Sequence, residues 1–567
     1  MKSILRYFPI LLLIILSSSC KKDPPPVLTI SSEQLTLAYT ASTSTLTIKS
    51  NYSWTLSSTA DWLTVTPLSS PSESTVTIVS KENKTYESRS ADIIVSTGKE
   101  GTETYLRKTI RVTQAGKTNA APEAPTITYP ENNTTDFNRL ALFRWNKASD
   151  PDSDVVRYEL QFSQLNTFDE GPQTIVVRTD TLLYGYSPAL LKENTKYYWR
   201  VYSIDTQNSR TVSSVYSFTT GTKGGYVNGE YRVAFTNTKG TYPNEIVFTG
   251  DGYAVENFLD GAKFEKDMND GIEAFFSVEP YKSYREYFKV YKLAVYSQDN
   301  GVTQTDQNIT KKTAFSTVFK GGSSMETDDA LVFKKVETIP EVKGKLNNTL
   351  VVLVVNQDRY AGTCWMWSDG RAIAISPAST STRNYINFKN IINHEAGGHG
   401  FGRLADEYVT AANKDKTITE SEKNSLTSWS KYGFYPNVDT TSNLVQIKWR
   451  HFIDKVGYSV RAYEGAYYFT FGVWRPETSS CMIDNRQYYN APSREHIVKR
   501  ILRTSAGVRI NDYSNGVITP IPNDPFNFDE FVRLDVSKTE TPSLFYKETY
   551  NPLTFIHLAP PVMIEVK

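Results

Sequence analysis

The stretch His394-Glu395-Ala396-Gly397-Gly398-His399 holds two of the chain's five histidines and sets a glutamate beside the first. Imidazole is the commonest protein ligand for zinc, and a carboxylate adjoining such an ion can take a proton from the water it activates. These residue types therefore spell metal-assisted hydrolysis, with His394 and His399 as metal ligands and Glu395 as general base. The usual His-Glu-x-x-His pattern sets its histidines four apart, on one face of a helix. Here they are five apart, and a regular α-helix would splay them by about 140°. A single π-bulge absorbs the additional residue and brings them back together. Gly397, Gly398 and Gly400 fit that distortion, because in a plain helix each would cost about 1 kcal/mol against alanine.

A third ligand must return from downstream. Gly402 is expected in the left-handed conformation that ends a helix and turns the chain back. The turn then presents Asp406-Glu407-Tyr408. Asp406 is the preferred ligand, a hard oxygen donor that zinc accepts, and Glu407 is the alternative. Metzincins use a histidine six residues after the second one; Ala405 stands there, so a simple metzincin is excluded.

The elements that must carry these groups are a sheet followed by a helix. Leu350-Val351-Val352-Leu353-Val354-Val355 is a continuous apolar run, the mark of an inner strand covered on both faces. Arg371-Ala372-Ile373-Ala374-Ile375-Ser376 reads as the edge strand, open to an extended substrate backbone. Residues 384–392 repeat apolar groups at helical spacing and lead directly into His394. Upstream, residues 245–253 read as a buried strand entering a glycine turn, residues 276–288 are helix-compatible, and residues 287–296 alternate as a strand does. Trp365 and Trp367 are read as core; so are Tyr488 and Tyr489, although a phenol following residues 480–482 could also donate to an oxyanion. His451, His496 and His557 have no ligand spacing and are taken as structural. There is no Gly-x-Ser-x-Gly elbow and no phosphate-binding glycine loop.

His394-Glu395…His399-x-x-Gly402-x-Leu404-Ala405-Asp406-Glu407-Tyr408 resembles the IgA-type metallopeptidase family, whose His-Glu motif is followed by Leu-Ala-Asp-Glu-Tyr. Phe248-Thr249-Gly250-Asp251-Gly252-Tyr253, Pro280-Tyr281, Asn356…Tyr360-Ala361-Gly362, Ser480-Cys481-Met482 and Ser493-Arg494-Glu495 extend the likeness over roughly residues 240–510. The longer histidine spacing departs from it, although dipeptidyl peptidase III enzymes also use His-Glu-x-x-x-His. The resemblance implies zinc-dependent peptide hydrolysis by a metzincin-like domain. It also implies Met482 as a Met-turn, an apolar floor beneath the metal; the residue type alone suits an ordinary core position equally.

At 567 residues the chain needs several cores. Lys2 and Arg6, a short apolar run and Ser17-Ser18-Ser19-Cys20 make residues 1–19 a secretory signal. Its end resembles a bacterial lipobox, with Cys20 acylated and residues 20–26 as tether, so an exported lipoprotein of the outer membrane or cell surface is expected. Residues 27–116 carry short alternating strands, and Trp54…Trp62-Leu63-Thr64-Val65-Thr66-Pro67 with Val112-Thr113-Gln114-Ala115-Gly116 resembles the BACON domain, a family of glycan-binding proposals or a plain spacer. After a Pro-Ala linker, residues 122–221 resemble a fibronectin type III domain through Phe143-Arg144-Trp145, Tyr158–Phe162 and Tyr197–Tyr202. Asp150-Pro151-Asp152-Ser153-Asp154 lacks the later positions of a calcium loop and reads as a solvated turn. The peptidase-like domain spans residues 224–510, and residues 511–567 are expected to form a small β appendage. Cys364 and Cys481 admit either a disulfide or two buried thiols. With 62 basic and 61 acidic residues there is no basic excess for nucleic acid. The expected architecture is thus multidomain, two all-β sandwiches followed by an α/β zinc peptidase domain. The expected function is a lipid-anchored zinc endopeptidase acting on extracytoplasmic protein or host glycoprotein. The alternative is a glycan- or glycoprotein-binding lipoprotein with a weak or inactive peptidase domain.

Overall fold

The computed structural model describes residues 24–185, 188–383, 385–508, 523–538 and 555–566. The signal, Cys20 and the start of the tether lie outside the described residues. Among those described, no helix is long and apolar enough to cross a membrane.

Two compact units make up the chain. The first holds residues up to Ala124 with Ala148–Val156 and Ser203–Thr211. Its strands form two facing sheets: Leu28–Ile30, Ser42–Ser50, Ser74–Ser80 and Leu63–Thr66 in one, and Gln34–Leu37, Leu106–Gln114, Arg89–Thr97, Trp54–Ser58 and Ser69–Ser70 in the other. Alternation does what the sequence promises: Val76 and Ile78 face Ala91, Ile93 and Val95 across a core built on Trp54. The Asp150 carboxylate accepts the backbone N–H groups of Asp152 and Asp154, closing the expected turn.

The second unit opens with a sandwich of three strands (Ile127–Tyr129, Leu142–Trp145, Leu183–Gly185) against a sheet ordered Thr134–Phe137, Tyr216–Thr220, Lys196–Ile204, Arg157–Ser163, Thr174–Thr179. A seven-stranded mixed sheet follows. Its order is Tyr231–Phe235, Phe288–Leu293, Asn244–Asp251, Thr349–Val355, Ala372–Pro377, Thr363–Trp367, Val562–Ile564. The four strands from Phe288–Leu293 to Ala372–Pro377 run parallel, and Thr363–Trp367 is antiparallel to its neighbour. Helix Lys263–Phe275 and the histidine-bearing helix cover one face; helix Asp329–Val336 covers the other.

Several expectations need correction. Ala372–Pro377 is not the edge: it lies between Thr349–Val355 and Thr363–Trp367. Its small-large alternation sends Ala372 and Ala374 beneath the histidine helix and Ile373 and Ile375 into the opposite core. Residues 276–288 do not continue a helix; Lys263–Phe275 ends first, and Pro280 could not sit in a helix interior. The helix before His394 starts at Phe388, where the Asn387 side chain caps the Asn390 N–H. The described part of 511–567 is not a separate β appendage. Helix Phe528–Leu534 packs on helix Ala491–Ser505, and Val562–Ile564 adds a parallel strand to the main sheet. Cys364 and Cys481 are both free, buried thiols.

Candidate metal centre

The chain from Asn393 to Phe401 is a π-helix throughout, a longer distortion than one bulge. Glycine is required because neighbours come so close. A Cβ on Gly398 would stand 2.3 Å from Met482 Sδ, one on Gly400 2.6 Å from Leu350 Cδ1, and one on Gly397 2.4 Å from the Tyr489 hydroxyl. Side chains supply donors to the distorted backbone: Tyr281 donates to Gly397 O (2.6 Å), Tyr489 to Asn393 O, and Arg500 to Phe401 O near the C-terminal end. Gly402 stays right-handed (φ −72°); the left-handed residue is Arg403 (φ 52°). Gly402 is glycine for another reason, since a Cβ there would sit 2.7 Å from the carbonyl oxygens of Gly397 and Gly398.

With the π-turn in place, His394 and His399 face the same point, their ring centroids 4.8 Å apart. His394 Nδ1 lies 3.1 Å from Cys481 O, and His399 Nδ1 2.8 Å from Leu404 O. A carbonyl only accepts, so each Nδ1 carries the proton and each Nε2 keeps its lone pair. Both lone pairs point at Asp406 Oδ1, at 3.1 and 3.4 Å. The three donor atoms lie within 4.8 Å of one another in fully buried surroundings. Burial lowers the pKa of His394; at His399 the Asp406 carboxylate outweighs burial and raises it. Without an ion, imidazoles protonated toward Asp406 hold its carboxylate well below the usual range despite burial.

Asp406 is aimed by two groups that sequence reasoning missed. Tyr468 donates to its Oδ2 (2.7 Å), and Asn437 clamps the backbone N–H and carbonyl of Ala405 (both 2.8 Å). Tyr467 and Tyr468 occupy a hairpin turn with φ of 46° and 75°, a place where Asn-Gly is normal. No signal in the sequence links residue 468 to residue 406; an uncommon Tyr-Tyr between two strands was the nearest clue. Glu407 points elsewhere, accepting from Asn437 and Asn490 at 2.6 Å each.

Glu395 lies alongside, fully buried, with neither carboxylate oxygen at hydrogen-bonding geometry to a donor among the described residues. Burial pushes its pKa up to about 8, against the pull of His399. Met482 packs beneath the π-helix at Gly398, and its carbonyl accepts the Glu407 N–H (2.8 Å). Tyr488 and Tyr489 are committed to Glu477 and Asn393 O, which leaves both hydroxyls as structural donors. His451 pairs with Glu495, whereas His557 stacks on Tyr408 beside the centre.

The donor set, two imidazoles and a carboxylate with outer hydrogen bonds fixing their tautomers, suits a divalent transition metal. Residues 236–458 match the family model described as IgA Peptidase M64. That stretch is similar to the peptidase domain of the M64 family. Residues 52–115 match the BACON model, described as an N-terminal binding domain. No curated protein matches the chain significantly. Among solved structures, a Bacteroides ovatus GH5 xyloglucanase in complex with a XXXG heptasaccharide is 17% identical over 20% of this chain and 27% of its own length, TM-score 0.15. The fibronectin(III)-like modules of Clostridium thermocellum CbhA are 13% identical over 35% of this chain and 95% of theirs, TM-score 0.15. The FN1-FN3 domains of chicken CNTN1 are 10% identical over 38% and 72%, TM-score 0.16.

Proposed function

We propose that the M64-type domain is a zinc endopeptidase in which His394, His399 and Asp406 hold the ion and Glu395 is the general base. The observation that carries this reading is the convergence of two imidazole lone pairs on one carboxylate oxygen in a buried pocket, an arrangement that a cation stabilises. Zinc held there would supply Lewis acidity toward water and the scissile carbonyl. Glu395 takes the water proton as the oxygen bonds to the carbonyl carbon. It then returns that proton to the amine nitrogen as the C–N bond breaks. A carboxyl that burial lifts toward neutrality is suited to both halves of the transfer. Tyr468 and Asn437 act through Asp406 as positioning residues, and Met482 is the apolar floor.

The whole protein fits an exported lipoprotein, acylated at Cys20, whose two sandwiches hold the peptidase off the membrane and whose BACON-like sandwich contacts glycan or glycoprotein. The substrate is extracytoplasmic protein. A binding protein with an inactive peptidase is not favoured, because Glu395 and all three ligands are present and converge. Elemental analysis should find one zinc per chain, and cleavage of a casein and mucin panel should stop with chelator. Glu395→Gln should keep the zinc and lose cleavage; an active Glu395→Gln protein would remove the assigned base.

A further inference from the structure

Thr363–Trp367 packs against the histidine-bearing π-helix, and its outer edge is a rim of the main sheet. Its leading residue Gly362 abuts the general base: a Cβ there would lie 2.7 Å from Glu395 Oε1. That rim is taken by the chain's own C-terminal segment. Trp365, Met366 and Trp367 pair in parallel with Val562, Met563 and Ile564, and Ile564 O accepts the Ser368 N–H (2.9 Å). Val566 N–H donates to Ser368 Oγ (2.9 Å).

Upstream of the ladder the same segment reaches Tyr408, two residues beyond Asp406. Three consecutive carbonyls are each held by a hydroxyl: Ile556 O by Tyr360 (2.9 Å), His557 O by Ser323 (3.2 Å) and Leu558 O by Tyr408 (3.0 Å). The His557 ring stacks on Tyr408 at 3.8 Å, two residues beyond Asp406. Most of these contacts grip main chain, the way an extended peptide is recognised whatever its side chains. While the segment is seated, His394, Glu395, His399 and Asp406 are all closed to solvent.

We propose that residues 555–566 are an intramolecular occupant of the peptide groove, seated on the edge of Thr363–Trp367 and the hydroxyls of Ser323, Tyr360 and Tyr408, and that an extended substrate chain must displace them. The partner this surface fits is unfolded or extended polypeptide, bound by its backbone. The inference rests on the peptidase reading only for the word substrate; the groove and its occupant are tested separately.

The test uses full-length, zinc-loaded protein and two variants. Ile564→Pro removes the N–H that the parallel register aims at the rim strand. His557→Gly removes the ring over Tyr408 and leaves the ladder intact. Hydrogen exchange of residues 363–367, the rate at which dipicolinate strips zinc, and cleavage of unfolded casein are measured together. Loss of one ladder hydrogen bond shifts the seated-to-open balance about tenfold, so exchange, zinc stripping and cleavage should each rise by about that factor. A synthetic peptide of residues 555–566 should reverse the gain in cleavage. Unchanged exchange and stripping in both variants overturn the proposal. So does a groove that opens while cleavage falls, which would make the segment a wall of the site and not its occupant. Faster exchange and stripping with no cleavage by any protein uphold the occupant and sink the peptidase reading instead.

Discussion

Replacing Tyr468 by phenylalanine deletes one oxygen and leaves the ring in its turn. That oxygen donates to Asp406 Oδ2 at 2.7 Å, and the carboxylate it serves is fully buried. A hydrogen bond to a charged group contributes about 1.5–3 kcal/mol, and loss of an outer partner of a metal ligand typically costs about 10–100-fold in affinity. The two figures agree, since 1.4 kcal/mol is about a factor of ten. Tyr468→Phe should therefore bind zinc about 10–100-fold more weakly, measured by competition with a chromophoric chelator. Tyr467→Phe is the matched control, from the same strained turn; Tyr467 bonds Asp406 only through its backbone N–H (3.1 Å to Asp406 O), which the substitution leaves in place. If Tyr468→Phe, properly folded, loses less than about threefold in affinity, the phenol does not aim the carboxylate and the account of how Asp406 is positioned fails.

Three further outcomes are expected. Gly397→Ala gains about 1 kcal/mol of helix propensity but forces a methyl 2.4 Å from the Tyr489 hydroxyl; the net should be destabilising by about 1–3 kcal/mol in urea, and a stabilised variant would contradict the packing argument. Asp535→Ala strands the buried Arg494 guanidinium, bonded at 2.7 and 3.0 Å, and should cost about 3–5 kcal/mol. Glu495 is buried, yet its bonds to His451 and Lys499 outweigh that and hold its pKa below the ordinary value. Its stabilising contribution is thus complete above the unfolded pKa and lost as pH falls through the folded one. The stability gap between wild type and Glu495→Gln should be full at pH 7 and close below about pH 4; a gap independent of pH would show that the carboxylate's charge is irrelevant.

What could be read from sequence was whatever repeats or sits close along the chain. The alternation of Val76 and Ile78, the apolar run 350–355 and the five-residue histidine spacing each carried their structure on their face. Asp406 stood out because only a short return from His399 could bring a ligand back. Long-range geometry was invisible. Ala372–Pro377 looked like an edge because nothing in 371–376 announces that Thr363–Trp367, and beyond it Val562–Ile564, would lie outside it. Local preference assigns Gly402 the left-handed turn, but the close carbonyls of Gly397 and Gly398 set its identity, and the positive φ falls on Arg403. Asn437 and Tyr468 meet the Ala405–Asp406 segment only after the chain has folded back on itself.

The Tyr467-Tyr468 corner has an implication for anyone engineering this protein. Asn-Gly would bend there with less strain, and a search for thermostable variants should find it early. Such a variant would outlast its parent in heat and yet leave Asp406 without the phenol that aims it, so that selecting for durability alone would quietly discard the proposed metal site.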